Sequence, residues 1–485
     1  MNKTSISRIG RNSAIYGIGN MLSLAAGFIL IPLYTHALTP GEYGVLELLN
    51  KSSDVLMLVV VLGLRQAYLR FYYEKKEDVE WHKTVTSTTC IFLLCSALFV
   101  DAVAFPLRGV FARMLFDDRS LGRLFVYTLA WIPAEIITQL GFAYLQIRMK
   151  AAVFVSLAMS RLVCVIGSNM LLVYRLEMGV EGILITNVCV TMMTAVGFLI
   201  YFASWAGLRF DTRVLKNLVT FGFPYLPASI FSFVISSADR YFLTRYASLD
   251  AVGIYALGYK IGMFGTSILL SPFSRVWSPF LFQNYNEPHG PRAISRVFIL
   301  FALAGTTLAI GISVLSPIVI PLISDQAYHE AYRAVPFICF AAALYSLACI
   351  ADAGILISKK TYFKPLIAGS AAVLAVALNF ALVPRFGMIG AAASLALTYL
   401  GFFIINFTIA NRYYRIDIQP KKLALLFGSF IATYLVFERL FERFGGSPAG
   451  TMSCAGALLL FPLLVAAGGF FDKNDLLIVR KLINR

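Results

Sequence analysis

One apolar stretch carries four ionisable residues, Glu47, Lys51, Asp54 and Arg65, at steps of 4, 3 and 11 residues. On a continuous helix of about 3.6 residues per turn these steps return to one face. A strip of both signs could hold an anion through its cations or pass a coupling ion along its carboxylates. A second stretch carries Lys260, Ser267, Ser271 and Arg275 at steps of 7, 4 and 4, again one face, with no Asp or Glu across 252–274 to neutralise the ammonium. A third opens on Phe223-Pro224-Tyr225-Leu226-Pro227 and continues with Ser229, Ser232, Ser236, Asp239 and Arg240. Prolines remove donors from the helical ladder, so Pro224 and Pro227 mark an expected hinge. Asp239 and Arg240 project roughly 100° apart on a helix, are expected not to pair, and sit where Arg240 can reach the outer interface. Glu135, Arg161 and Asp352 stand alone in further apolar stretches.

The elements that must position these residues are membrane helices. Of the 485 residues, 59% are hydrophobic and only 14% charged, against roughly 45–50% and about 25% in a soluble domain. The mean hydropathy is +0.77. Too little polar surface remains to cover a water-soluble core, which excludes a soluble globular enzyme, and the hydrophobicity excludes a disordered chain. Apolar stretches recur at about 20 residues, the length of a helix crossing a hydrocarbon core of about 30 Å. The alternating runs of outer-membrane barrels are absent. About fourteen stretches are read, from one near 12–33 through 45–66, 218–243 and 252–274 to one near 452–471. Their connections are too short to fold as separate domains. In this setting a central charge costs at least about 2.5–3.5 kcal/mol, so the strip from Glu47 to Arg65 must face a cavity or a partner helix. The local alternative pairs Glu47 with Lys51 and lets Arg65 extend to the interface.

The net charge is +16, from 41 Lys and Arg against 25 Asp and Glu. With alternate loops on one side, most of the Lys and Arg fall on the side of both termini and of the stretches near 70–83, 148–150, 209–216, 292–296, 359–364 and 412–422. Positive loops stay inside, so both termini are expected in the cytoplasm. The basicity is then a topology signal that attracts membrane lipids, not a nucleic-acid footprint. Lys3, Arg8 and Arg11 precede an apolar run too long for a signal peptide, read as a retained first span.

A repeat organises the chain. Residues 37–51 and 246–260 superpose at a shift of 209, which puts Gly44 on Gly253, Leu48 on Leu257 and Lys51 on Lys260. Gly179-Val180-Glu181-Gly182 and Gly387-Met388-Ile389-Gly390 agree at nearly the same shift. An even number of spans separates the copies, which makes the repeats parallel. The expected domains are a six-helix bundle over 1–205, a second over 206–412, and two additional helices with a cytoplasmic tail over 413–485. Lys51 and Lys260 would then face each other across the pseudo-twofold axis, where two cations suit a ligand with several anionic oxygens.

Several chemistries find no support. No Lys follows a Gly, which removes a Walker A loop, and the four His lack ligand spacing for a metal. The Cys residues, with no CxxC, read as small apolar residues. Asp117-Asp118 reads as a solvated acidic pair, and Gly258 with Gly262 as a helix-packing motif.

Gly27-Phe28-Ile29-Leu30-Ile31-Pro32-Leu33, then Leu38-Thr39-Pro40-Gly41-Glu42-Tyr43-Gly44, resemble the polysaccharide-biosynthesis (Wzx-type) flippases of the multidrug/oligosaccharidyl-lipid/polysaccharide exporter superfamily. Gly63-Leu64-Arg65-Gln66-Ala67, Asp239-Arg240-Tyr241-Phe242-Leu243, Val252-Gly253-Ile254-Tyr255 and Pro384-Arg385-Phe386-Gly387 carry the likeness along most of the chain. Relatives often have an Arg in the first span where this chain has Leu24. The resemblance implies a V-shaped, MATE-like pair of bundles. It also implies a non-enzymatic flippase of a polyprenyl-pyrophosphate-linked oligosaccharide in a bacterial or archaeal cytoplasmic membrane. Lys51, Lys260, Arg65, Arg240 and Arg275 would form its cationic cavity, and Asp54, Glu47, Asp239 and Glu135 are candidate coupling or cavity carboxylates. No cofactor or metal is expected beyond an ion gradient (H⁺ or Na⁺) or the membrane potential. Expected partners are the lipid-linked substrate, membrane lipids, a polysaccharide polymerase and glycosyltransferases. The alternatives are a multidrug/cation antiporter and a membrane polymerase or ligase, the latter disfavoured by short outer loops.

Overall fold

A computed structural model of the chain describes residues 27–75, 77–415, 419–444 and 448–470, apart from the side chains of 266, 267, 271, 275 and 448–455. Leu24, most of the expected first span, the tail from 471 that is expected to be cytoplasmic, and the side chains of Ser267, Ser271 and Arg275 therefore lie outside the described residues. Within them the structure is helical, with no strand. The chain runs α1 (Gly27–Ala37), α2 (Pro40–Val61), α3 (Leu64–Tyr72), α4 (Val79–Phe116), α5 (Gly122–Ile147), α6 (Ala151–Asn169), α7 (Gly179–Ala206), α8 (Thr212–Gly222) and α9 (Leu226–Tyr246). It continues with α10 (Leu249–Asn284), α11 (Gly290–Ile323), α12 (Val335–Ala351), α13 (Ala353–Ile357), α14 (Phe363–Tyr413), α15 (Pro420–Phe444) and α16 (Pro448–Ala467). Among the described residues ten segments are long and apolar enough to cross a membrane. The 51-residue α14 holds two expected spans, joined across Gly387, whose φ of 53° breaks the helix. The 22-residue α2 has the length to cross but carries too many charges to be among the ten.

The chain divides into two compact units, Met1–Ile254 and Tyr255–Arg485. The loop near 205, expected as the border between bundles, falls inside the first unit, because α8 packs on α3 and α9 packs along α2. The α7–α8 connection is stitched to α4: Ser87 Oγ donates to the Gly207 carbonyl (2.8 Å) and accepts from Arg209 N (2.9 Å), and Thr88 Oγ1 accepts from Asp211 N (3.1 Å). The core of the first unit is mainly aliphatic and includes Tyr68, Tyr72, Tyr144, Phe198 and Phe202, with Tyr72 stacked on His82 at 4.2 Å between ring centroids. In the second unit α12 packs against α11 and α14. There Gly258 meets the Ala331 carbonyl and Gly262 meets Ile338, the close approach the small-residue spacing predicts.

The repeat is visible in local geometry. Thr39 caps α2 by accepting from Glu42 N, and Glu42 accepts from Thr39 N in return, which is a capping box. At the shift of 209, Ser248 stands before α10 and accepts from Ala251 N. The repeat-related glycines also touch: a Cβ on Gly253 would overlap the Pro40 carbonyl, and one on Gly44 would overlap that of Leu249. Gly179 and Gly387 both take positive φ, 55° and 53°. The glycines three residues on, Gly182 and Gly390, both lie against backbone of the preceding helical segment.

Overpacking a close backbone contact typically costs about 1–3 kcal/mol. Gly253→Ala and Gly44→Ala are expected to lower the detergent-solubilised melting temperature by several degrees. Gly428→Ala, where a Cβ meets nothing within 4 Å, is expected to leave it unchanged. Equal melting temperatures for all three would contradict the contact.

Candidate functional site

Span 2 is not one helix. α2 ends at Val61, Leu62 takes φ 47° and Gly63 φ 70°, and α3 starts at Leu64. The left-handed pair redirects the chain, so Arg65 does not continue the face of Glu47, Lys51 and Asp54. This corrects the four-residue strip read from periodicity. Glycine is required here, since Gly63 has positive φ and a Cβ on it would overlap the Gly222 carbonyl. Gly222 ends α8, and the turn Phe223–Tyr225 carrying Pro224 leads into α9, with Pro227 in its first turn. Two helix breaks thus meet backbone to backbone. Arg65 is exposed beside a small space lined by Tyr68, Thr89 and Gln139, and has no carboxylate partner among the described residues.

Glu47, Lys51 and Asp54 on α2 lie near Asp239 and Arg240 on α9. Arg240 is buried, 1% exposed, with Nε 3.4 Å from Glu47 Oε1 and Nη1 2.8 Å from Asp239 Oδ1. Its Nη1 also donates to the Ser236 carbonyl at 2.7 Å. The expectation that Asp239 and Arg240 do not pair, and that Arg240 extends to the interface, is overturned. The angular argument treats side chains as short spokes, whereas the guanidinium folds back one turn to Ser236 and meets its neighbour's carboxylate there. Lys51, midway along α2, donates to Asp54 at 3.2 Å with a quarter of its side chain exposed, so the Glu47–Lys51 pairing is replaced by Glu47–Arg240 and Lys51–Asp54.

Two further acids expected to be isolated are paired. Arg161 Nη2 lies 3.3 Å from Glu135 Oε2 and donates to Thr191 Oγ1 at 3.2 Å. Lys364 Nζ lies 2.6 Å from Asp352 Oδ2, whose other oxygen accepts from Asn406 at 2.7 Å. Sequence distance hid both, because each partner comes from a different helix. Lys260 is half-buried on α10. Asp118 is solvated, and hydrogen bonds from Ser120 hold its carboxyl below the usual range, as suits an acid outside the membrane. Among the described residues no group of three His, Cys, Asp or Glu could hold a metal.

Removing one member of a buried charge cluster strands the others at about 3–5 kcal/mol. Arg240→Met is expected to lower membrane yield and melting temperature sharply. Adding Glu47→Gln and Asp239→Asn is expected to recover most of the loss, and failure of that rescue would show that the cluster does not hold α2 to α9 electrostatically.

The comparisons with known proteins agree with this architecture. No curated protein matches the chain. An inward-closed structure of the lipid II flippase MurJ is similar at 11% identity and a TM-score of 0.69, covering 97% of this chain and 99% of that one. An inward-facing multidrug resistance MATE transporter of the MOP superfamily is similar at 14% identity and a TM-score of 0.68, covering 84% and 96%. An outward-facing MATE transporter reaches 0.60 at 13% identity, covering 83% and 95%. At such identities the likeness is one of fold: a multi-pass helical membrane protein of the MurJ and MATE type. The model of the polysaccharide biosynthesis protein family matches residues 9–285, more than half of the chain, and with the capped repeat, the paired helix breaks and the charged α2 in place, this chain belongs to that family.

Proposed function

We propose that the chain is a flippase that moves a polyprenyl-pyrophosphate-linked oligosaccharide across a bacterial or archaeal cytoplasmic membrane, by alternating access between two repeat-related bundles. Membership in the polysaccharide biosynthesis family and the transporter fold support a membrane translocator. The observation that carries the substrate class is Lys51, a partly exposed ammonium at mid-helix depth on a membrane segment, whose repeat mate is Lys260. A charge at that depth needs a reason. A pyrophosphate offers one: it carries several anionic oxygens that accept charge-assisted hydrogen bonds. Arg65, without a carboxylate partner among the described residues, is a third candidate cation, and Arg275 a fourth. Arg240 is assigned instead to holding α2 and α9 together. Both termini are placed in the cytoplasm by the positive-inside rule, where the glycosyltransferases that build the substrate would work, with a polymerase acting on the product. The breaks at Leu62–Gly63 and Phe223–Tyr225 are the proposed hinges, and a proton or Na⁺ gradient or the membrane potential drives the return. No bound cofactor is required, and the chain acts as a transporter and not as an enzyme.

The second reading is a multidrug/cation antiporter, since multidrug resistance MATE transporters share the fold over 83–84% of this chain. A polymerase or ligase is disfavoured by the short loops.

The two readings separate in a strain lacking the chain. Accumulation of polyprenyl-linked saccharide on the cytoplasmic side, with loss of surface polysaccharide, is the expected outcome. Re-expressed Lys51→Ala and Lys260→Ala variants are expected to reach the membrane and restore no more than about a tenth of surface glycan, the loss of one charge-assisted contact. An unchanged saccharide pool and surface glycan would put the antiporter first, and full export by the double variant would remove the lysines from the site.

A further inference from the structure

Away from the α2–α9 cluster, the first unit carries a groove of about 500 Å³ bordered by α5, α6 and α7. Its mouth is the turn between α5 and α6, where Arg148 and Lys150 stand exposed. Neither has a carboxylate partner among the described residues. The next cation inward, Arg161, is already taken by Glu135 and Thr191. The mouth is therefore a site of two uncompensated positive charges, and the groove behind it contributes no spare acid.

The walls are not those of a pocket for a soluble anion. Val153 and Leu157 on α6 face Phe198 on α7, and between them Gly197 leaves open space, since a Cβ there would meet nothing within 4 Å. Only 6% of the apolar window of α6 is buried, so this helix presents itself to the acyl chains. Tyr144 and Tyr201, hydrogen-bonded through their hydroxyls at 3.1 Å, sit beside the mouth with Trp205 packed on both. Tyr and Trp gather at the level of lipid headgroups. From Ala151 to Arg161 the groove runs ten residues, about 15 Å at 1.5 Å per residue, which is half of a hydrocarbon core of about 30 Å. It therefore spans one leaflet, with two cations at the headgroup end and apolar walls behind them.

We infer that this groove holds one anionic phospholipid of the bilayer, its phosphate between Arg148 and Lys150 and an acyl chain along Val153, Leu157 and Phe198. The site is independent of the flippase reading. It asks only for a bilayer lipid whose headgroup keeps a net negative charge. A zwitterionic headgroup carries its own cation and gains little from the pair.

Purified full-length chain, stripped of lipid in mild detergent, is titrated with phosphatidylglycerol and phosphatidylcholine of identical acyl chains, and bound lipid is counted by native mass spectrometry. Each Lys or Arg near a headgroup supplies a several-fold preference, so the pair should favour phosphatidylglycerol by on the order of tenfold. Arg148→Ala/Lys150→Ala is expected to erase that preference with an unchanged melting temperature, while Lys359→Ala/Lys360→Ala, in a different basic turn, keeps it. Equal retention of both lipids by the parent overturns the assignment, as does a preference that survives Arg148→Ala/Lys150→Ala. Polyprenyl pyrophosphate displacing phosphatidylglycerol at lower concentration, in a manner lost with the same double variant, also overturns it, because the groove would then belong to the transported lipid.

Discussion

A charge taken out of water must find its partner nearby, and in the first unit that requirement falls on Arg240. Its guanidinium contacts Glu47 from α2 and Asp239 from its own helix while almost wholly buried. A buried pair of this kind adds little net stability over well-packed apolar residues, because desolvation offsets most of the attraction. What it does set is geometry. Only one rotation of α2 and one of α9 brings the three groups together, and any other leaves a bare charge in a low-dielectric interior. The rest of the unit follows from that alignment. α8 and α9 stay with the first unit, and the break after α2 comes to lie on the break before α9, where Gly63 and Gly222 allow the backbones to touch.

Much of this was legible in the residues, because hydropathy and repetition are local properties. The apolar stretches among the described residues are helices, and the shift of 209 reappears as matched caps at Thr39 and Ser248, touching glycines at 44 and 253, and positive φ at Gly179 and Gly387. The site was only partly legible. Periodicity placed Glu47, Lys51 and Asp54 together correctly, since α2 is regular over them. It carried Arg65 along wrongly because two left-handed residues intervene. Gly63 is the signal the sequence offers, a residue that takes the left-handed conformation without strain. The pairs Glu135–Arg161, Asp352–Lys364 and Glu47–Arg240 were hidden for a different reason. Each depends on which helix faces meet, and a list of intrahelical spacings contains no such information.

The charges inside the membrane therefore sort by how firmly they are already satisfied. Arg240 is enclosed by two carboxylates and a backbone carbonyl, so a passing anion would have to displace all three from a site water does not reach. Lys51 is in a different position. Its partner Asp54 is an i,i+3 neighbour, and their side chains keep 24% and 43% of their surface. Pairs of that exposure are worth about 0.2–1 kcal/mol, which a headgroup with two charge-assisted hydrogen bonds exceeds. In the proposed flippase a weak local pair would also have a use: it would shield the ammonium in the empty state and give way when an anion arrives. The displaced Asp54 would then be the acid free to take up a coupling ion, so that binding of the anion and loading of the ion become one event. Arg240 sets where α2 stands, and Lys51 is the charge that stance leaves available.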